Sequence, residues 1–115
     1  MRWLLLLILI GCSDPFAPMG AVLFTPSINL DSLWAVDRAC SGLSGDWHRI
    51  TWFKVPGYTF ATPHGQMGGW WSPPHTIYLA ESQAVAFMTI RHEMLHDLLQ
   101  RDDHPPVFAA CGVMP

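Results

Sequence analysis

The sequence predicts a small α+β domain, with a short N-terminal helix, a small β-sheet and a buried helix in the C-terminal half. Three observations lead there. Residues 30–40 place apolar side chains at a helical period. Segments 48–57 and 75–80 are rich in β-branched and aromatic residues. Segment 83–99 is apolar nearly all round the cylinder, the pattern of a core helix rather than a surface one. At 115 residues the chain has room for one domain and one modest core.

Taken in order, residues 1–11 carry Arg2 and an unbroken apolar run from Trp3 to Ile10. The run is shorter than the ~20 residues that span a bilayer, so it reads as the hydrophobic region of a secretory signal peptide. Leu9-Ile10-Gly11-Cys12 resembles the lipobox of bacterial lipoproteins. That resemblance implies cleavage before Cys12, acylation of Cys12, and a protein anchored through lipid at the bacterial cell envelope. Residues 12–30, proline-rich and without helical period, form a tether to a domain at 31–115.

Residues 30–40 form the first helix, with Asp31 as N-cap candidate and Leu33, Trp34, Val36 and Ala39 as its apolar positions. "SGLSGD" breaks it. Segment 48–57 reads as a strand stopped by Pro56-Gly57. Residues 58–74 read as loop, centred on "GQMGGWWSPP", in which Trp70 and Trp71 are either a substrate-contacting flap or aromatic cover over the core. "HTIYLA", residues 75–80, is a second strand. Ser82 can cap a helix from about residue 83 to 99, and Pro105-Pro106 forbid its continuation.

Three cysteines are an odd number for an exported chain. With Cys12 acylated, Cys40 and Cys111 remain as an even pair in an oxidising compartment. Six Lys and Arg stand against nine Asp and Glu, with no basic cluster, which argues against a nucleic-acid partner.

The chemistry concentrates in "RHEMLHDLLQRDDHPP", residues 91–106. His92 and His96 lie four apart, so on a helix their imidazoles project from one face a turn apart and can reach one tetrahedral Zn²⁺. Glu93 is rotated about 100° from His92, away from the same ion, but within reach of a water on it as general base. The bland alternative, two core histidines, leaves ionisable groups unpaired on an apolar helix, at a cost of kilocalories each.

His92, Glu93 and His96 in "HEMLH" resemble the active-site motif of the zincin metallopeptidases. The resemblance implies a zincin-like domain that hydrolyses peptides or proteins, with Zn²⁺ on the histidines and Glu93 catalytic. It also implies that strand 75–80 lines the cleft and offers its edge to extended substrate. Within it, the third ligand stays open among neighbours. No glutamate follows Glu93, which excludes the branch with a downstream glutamate ligand. The metzincin spacing falls on Asp102, but Leu99 stands where that branch has its turning glycine. His104 is preferred as the third metal ligand, with Asp102 the alternative and Asp103 behind it. The aspartates not used, and Asp97 on the helix surface, are candidates to accept a hydrogen bond from a ligand histidine. Met114 is a weak match to the methionine turn of metzincins. His64, His75, Tyr78 and Arg91 are candidates to stabilise an oxyanion. The reading is therefore a lipid-anchored zinc peptide hydrolase; the alternative is a non-catalytic zinc-binding or structural envelope lipoprotein.

Overall fold

A computed structural model describes residues 17–114. The expected signal peptide, Cys12 and the first part of the expected tether lie outside them. Among the described residues no helix is long and apolar enough to cross a membrane.

The architecture is the expected α+β one. A four-stranded mixed sheet has the order β1-β2-β6-β5, from β1 (Val22–Leu23), β2 (Thr51–Val55), β6 (Thr76–Ala80) and β5 (Gly69–Ser72). β2 and β6 are parallel, with Thr51 opposite Thr76 and Val55 opposite Ala80; β1 and β5 pair antiparallel on the two sides. A separate hairpin, β3 (Phe60–Thr62) and β4 (Gly65–Met67), lies in the crossover between β2 and β6. Helices α1 (Leu30–Ser41), α2 (Phe87–Leu99) and the short α3 (Val107–Ala110) complete the chain.

Strand alternation decides which side chains meet. Trp52, Trp71, Ile77 and Leu79 face the helices and join Leu30, Trp34, Ile90, Met94, Leu95, Leu98 and Phe108 in the larger core. Their neighbours Val55, Trp70, Tyr78 and Ala80 face the other way and pack with Phe60 of β3. β6 is thus covered on both faces, which is why "TIYLA" is almost wholly apolar. It is also central in the sheet, so the expected free edge at residues 75–80 is not there; β5 forms that edge.

Residues 58–74, expected as loop, supply three strands. Strands of three or four residues, two of them beginning with glycine, carry little period-2 signal, and Trp70 and Trp71 lie in β5 rather than in a flap. α1 is capped by Asn29, whose carboxamide oxygen accepts from the Ser32 N–H at 3.0 Å; Asp31 instead accepts from the Trp47 indole at 2.7 Å. α2 starts at Phe87 rather than 83, because the preceding turn is spent on a 3-10 segment, Glu81–Gln83. Ser82 caps no helix; its hydroxyl donates to the Tyr58 carbonyl at 2.9 Å.

Cys40 at the end of α1 and Cys111 after α3 form a disulfide with Cα atoms 5.3 Å apart. It closes a loop across a sequence separation of 71, worth about 4 kcal/mol on the chain-entropy account. Beside it Arg91 donates to Asp37 Oδ1 at 3.0 Å and to the Cys111 carbonyl at 2.7 Å. Arg91 thus ties α1, α2 and the C-terminal segment together and points away from the cleft. Asp37 is fully buried, and its carboxyl is pushed up to about 6 by burial, against the pull of Arg91.

Candidate metal centre

The centre is built on α2. His92 and His96 project from one face of it, with ring centroids 5.0 Å apart. Leu99 is not glycine, yet the helix ends with it: Gln100, the next residue, adopts φ 58 and ψ 40, and its N–H returns to the His96 carbonyl at 2.8 Å. This left-handed residue does the work of a turning glycine. Its side-chain amide holds the turn by donating to the carbonyls of Pro74 and Asp97, at 2.9 and 2.7 Å. The chain doubles back and brings His104 to the pair. His104 Nε2 lies 3.1 Å from His92 Nε2, and its ring is 5.0 Å from that of His96.

These three histidines form a group able to hold a metal ion, with one nitrogen of each within 4.8 Å of the others. Their protonation fits the task. His92 Nδ1 lies 2.6 Å from the Val113 carbonyl and His96 Nδ1 2.7 Å from the Arg101 carbonyl. A carbonyl only accepts, so each Nδ1 carries the hydrogen and each Nε2 keeps its lone pair for the cluster. Burial lowers both histidines, His96 to about 4, so the neutral, ligating form prevails. Two imidazole nitrogens 3.1 Å apart repel unless a proton or cation lies between them. The spacing is close to the roughly 3.3 Å between nitrogens bound at about 2.05 Å to one tetrahedral ion.

Glu93 is buried beside them, 5% exposed, and lines the same cleft of 710 Å³. Burial pushes its carboxyl up to about 8, and a hydrogen bond from the Trp71 N–H pulls the other way. The carboxyl fits there because Gly69 has no side chain: a Cβ at that position would stand 3.1 Å from Glu93 Oε2.

The aspartates take other places. Asp102 lines the cleft outside the histidine group and faces His64, at the tip of the β3–β4 hairpin, at 3.5 Å. Asp103 pairs with Arg101. Asp97, expected on the helix surface, is fully buried. It accepts from Arg49 Nε at 2.8 Å and from the Trp71 indole at 3.0 Å, and bonds His75 Nδ1 at 3.0 Å. Among the described residues no aspartate is bonded to His92 or His96; main-chain carbonyls orient both, because the chain returns past both rings. Asp97 acts one step removed, fixing Trp71, whose ring stacks with that of His96 at 6.2 Å.

Of the oxyanion candidates, His64 alone lines the cleft; His75 is bound to Asp97, and Tyr78 is stacked between Phe53 and Trp70. Met114 also lines the cleft, and its neighbour Val113 supplies the carbonyl that orients His92. Sequence reasoning missed Phe108, Gly69 and the two carbonyls. The Gly68-Gly69 pair was the one available signal, since glycine in a strand marks a close approach. No protein-family model matches the chain, and no curated protein or solved structure matches it.

Proposed function

We propose that this chain is a zinc-dependent peptide hydrolase, lipid-anchored through Cys12 at the bacterial cell envelope, with His92, His96 and His104 as its metal ligands. The observation that carries the reading is the buried Glu93 opening into the same cleft as the three-histidine group. A purely structural metal site has no need of a buried carboxyl there and has four protein ligands as a rule. Bound zinc supplies Lewis acidity, lowering the pKa of water and polarising a carbonyl.

The chain's own residues account for the rest. Glu93 in its ionised form, which a cation on the three histidines would favour against the effect of burial, takes the proton of the attacking water and passes it to the amine nitrogen that leaves. Its carboxyl is kept aligned by the Trp71 N–H. β5 is the sheet edge along the cleft, and extended peptide pairs with it at Gly69 rather than with the central β6. His64, on the hairpin across the cleft, is the side chain placed to meet the substrate carbonyl oxygen.

The test combines metal analysis with a peptide-cleavage profile. Purified protein should hold about one zinc per chain, lost in His92→Ala. Glu93→Gln should keep the metal and abolish cleavage. Unchanged cleavage in Glu93→Gln would remove its role, and zinc without any cleavage would leave a metal-binding lipoprotein. Partition into detergent, lost in Cys12→Ser, checks the anchor.

A further inference from the structure

The geometry points to Phe108 as the positioning residue of the histidine centre, the floor against which all three imidazoles are set. This inference rests on the metal-binding reading of that group. Phe108 is fully buried, and its ring centroid lies 5.0 Å from His92, 4.6 Å from His96 and 5.0 Å from His104. The imidazoles themselves are 5.0, 4.9 and 5.0 Å apart. The four ring centres therefore mark a nearly regular tetrahedron, with three corners that can ligate and one that cannot.

The consequence is directional. A hydrocarbon ring offers no lone pair, so it closes one side of the histidine group to water and to any fourth protein donor. Phe108 does not line the cleft, whereas all three histidines do. The side left for an outside ligand is therefore the side where Glu93 lies. The tilts of the imidazoles against the phenyl ring, 56°, 49° and 82°, include edge contacts that a flat ring makes and a branched aliphatic side chain does not.

Phe108 is itself held. Its N–H donates to the Pro105 carbonyl, next to His104, and its carbonyl accepts from Val113, both at 3.0 Å. Val113 in turn holds His92 through its own carbonyl. Three residues further along from Phe108, Cys111 is fastened to α1 by the disulfide. One short helix thus sets the ring, the orientation of one ligand and the position of another.

The experiment uses the full chain as wild type, Phe108→Ala, Phe108→Leu and Phe108→Tyr. It reads Zn²⁺ affinity by competition with a chromophoric chelator, the visible spectrum of the Co²⁺-loaded form, and melting of the metal-free form. Phe108→Ala should weaken Zn²⁺ binding tenfold or more and convert the intense tetrahedral Co²⁺ spectrum to the weak one of higher coordination. Should Phe108→Ala not fold, Phe108→Leu decides: folded, it should bind three- to tenfold more weakly with an altered spectrum. Phe108→Tyr, which keeps the ring, should retain the wild-type spectrum. A folded Leu variant with wild-type affinity and spectrum, whatever its melting temperature, would reduce Phe108 to core packing and overturn the inference. Wild type that binds neither Zn²⁺ nor Co²⁺ would instead overturn the metal centre itself.

Discussion

Replacing Asp97 by Asn keeps the shape of the side chain and tests how the buried network holds the sheet to α2. Asp97 serves three donors with two oxygens: Oδ2 takes Arg49 Nε at 2.8 Å, while Oδ1 takes the Trp71 indole and His75 Nδ1, each at 3.0 Å. Asparagine has one oxygen. Turned toward Trp71 and His75, it presents an amide N–H₂ to Arg49; turned toward Arg49, it does the same to the buried indole. Either way a charge-assisted bond worth about 1.5–3 kcal/mol is replaced by donor against donor. The Arg49 side chain is 33% exposed, and water there offsets part of the loss. The expected cost is about 2–3 kcal/mol for Asp97→Asn and about 3–5 for Asp97→Ala, which also strands the indole. At roughly 4–8 °C per kcal/mol for a domain of this size, Asp97→Asn should melt 10–20 °C lower. Differential scanning calorimetry of the metal-free protein measures it, and a shift below about 3 °C would refute the reasoning.

Three further outcomes follow from the same geometry. Burial lowers His96 from 6.5 to about 4 and raises Glu93 from 4.5 to about 8. Below pH 6.5 the unfolded chain binds a proton at His96 that the fold refuses, so stability falls as pH drops; above pH 4.5 it releases one from Glu93 that the fold keeps, so stability falls as pH rises. Asp37, raised to about 6, acts with Glu93, and lowered His92 acts with His96, so the trends oppose each other in the mildly acidic range. Between pH 6.5 and 8 Glu93 alone remains, and metal-free protein should lose about 2 kcal/mol there. Melting curves should show this fall in wild type and not in Glu93→Gln. On the proposed hydrolase reading, Gly69→Ala, whose Cβ would meet Thr89 Cγ2 at 3.0 Å and Glu93 Oε2 at 3.1 Å, should keep the metal and lower peptide hydrolysis on the order of 10²-fold. Gln100→Ala should cost about 1–2 kcal/mol in denaturant unfolding and Gln100→Gly about nothing. Both lose the amide's bonds, but only glycine is relieved of left-handed strain of about 1 kcal/mol; the reverse ranking would refute this account.

What was legible in the sequence was what repeats or what is chemically costly. The apolar period of α1 and α2, the β-rich runs of β2 and β6, and the His92–Glu93–His96 spacing all belong to local patterns that the structure reproduces. The disulfide followed from counting cysteines. The register of β5 was not legible, because "GGWW" alternates too briefly and its position depends on pairing with Thr76–Ala80 rather than on itself. Nor was Asp97, whose polar type suggested the surface. It lies inside because Arg49, 48 residues away in sequence, is brought to meet it. Phe108 was invisible for a similar reason. A phenylalanine in a four-residue helix just after two prolines carries no signal until that helix is seen beneath the imidazoles.

The parallel pairing of β2 with β6 forces a long connection, and this chain fills it with the β3–β4 hairpin and β5 instead of the usual helix. Gly69, Trp71 and His64, which border the cleft, are therefore all encoded between Val55 and Thr76, while the three histidines, Phe108 and the carbonyls of Arg101 and Val113 are encoded after Ala86. The two stretches meet through Trp71, whose indole is bound to Asp97 of α2 and whose ring stacks with His96, so the crossover can vary without disturbing the histidine-bearing helix only where β5 keeps that residue. Exchange of the β3–β4 hairpin alone would reshape the rim of the cleft at His64 and Met67 and leave in place the strand that carries Trp71.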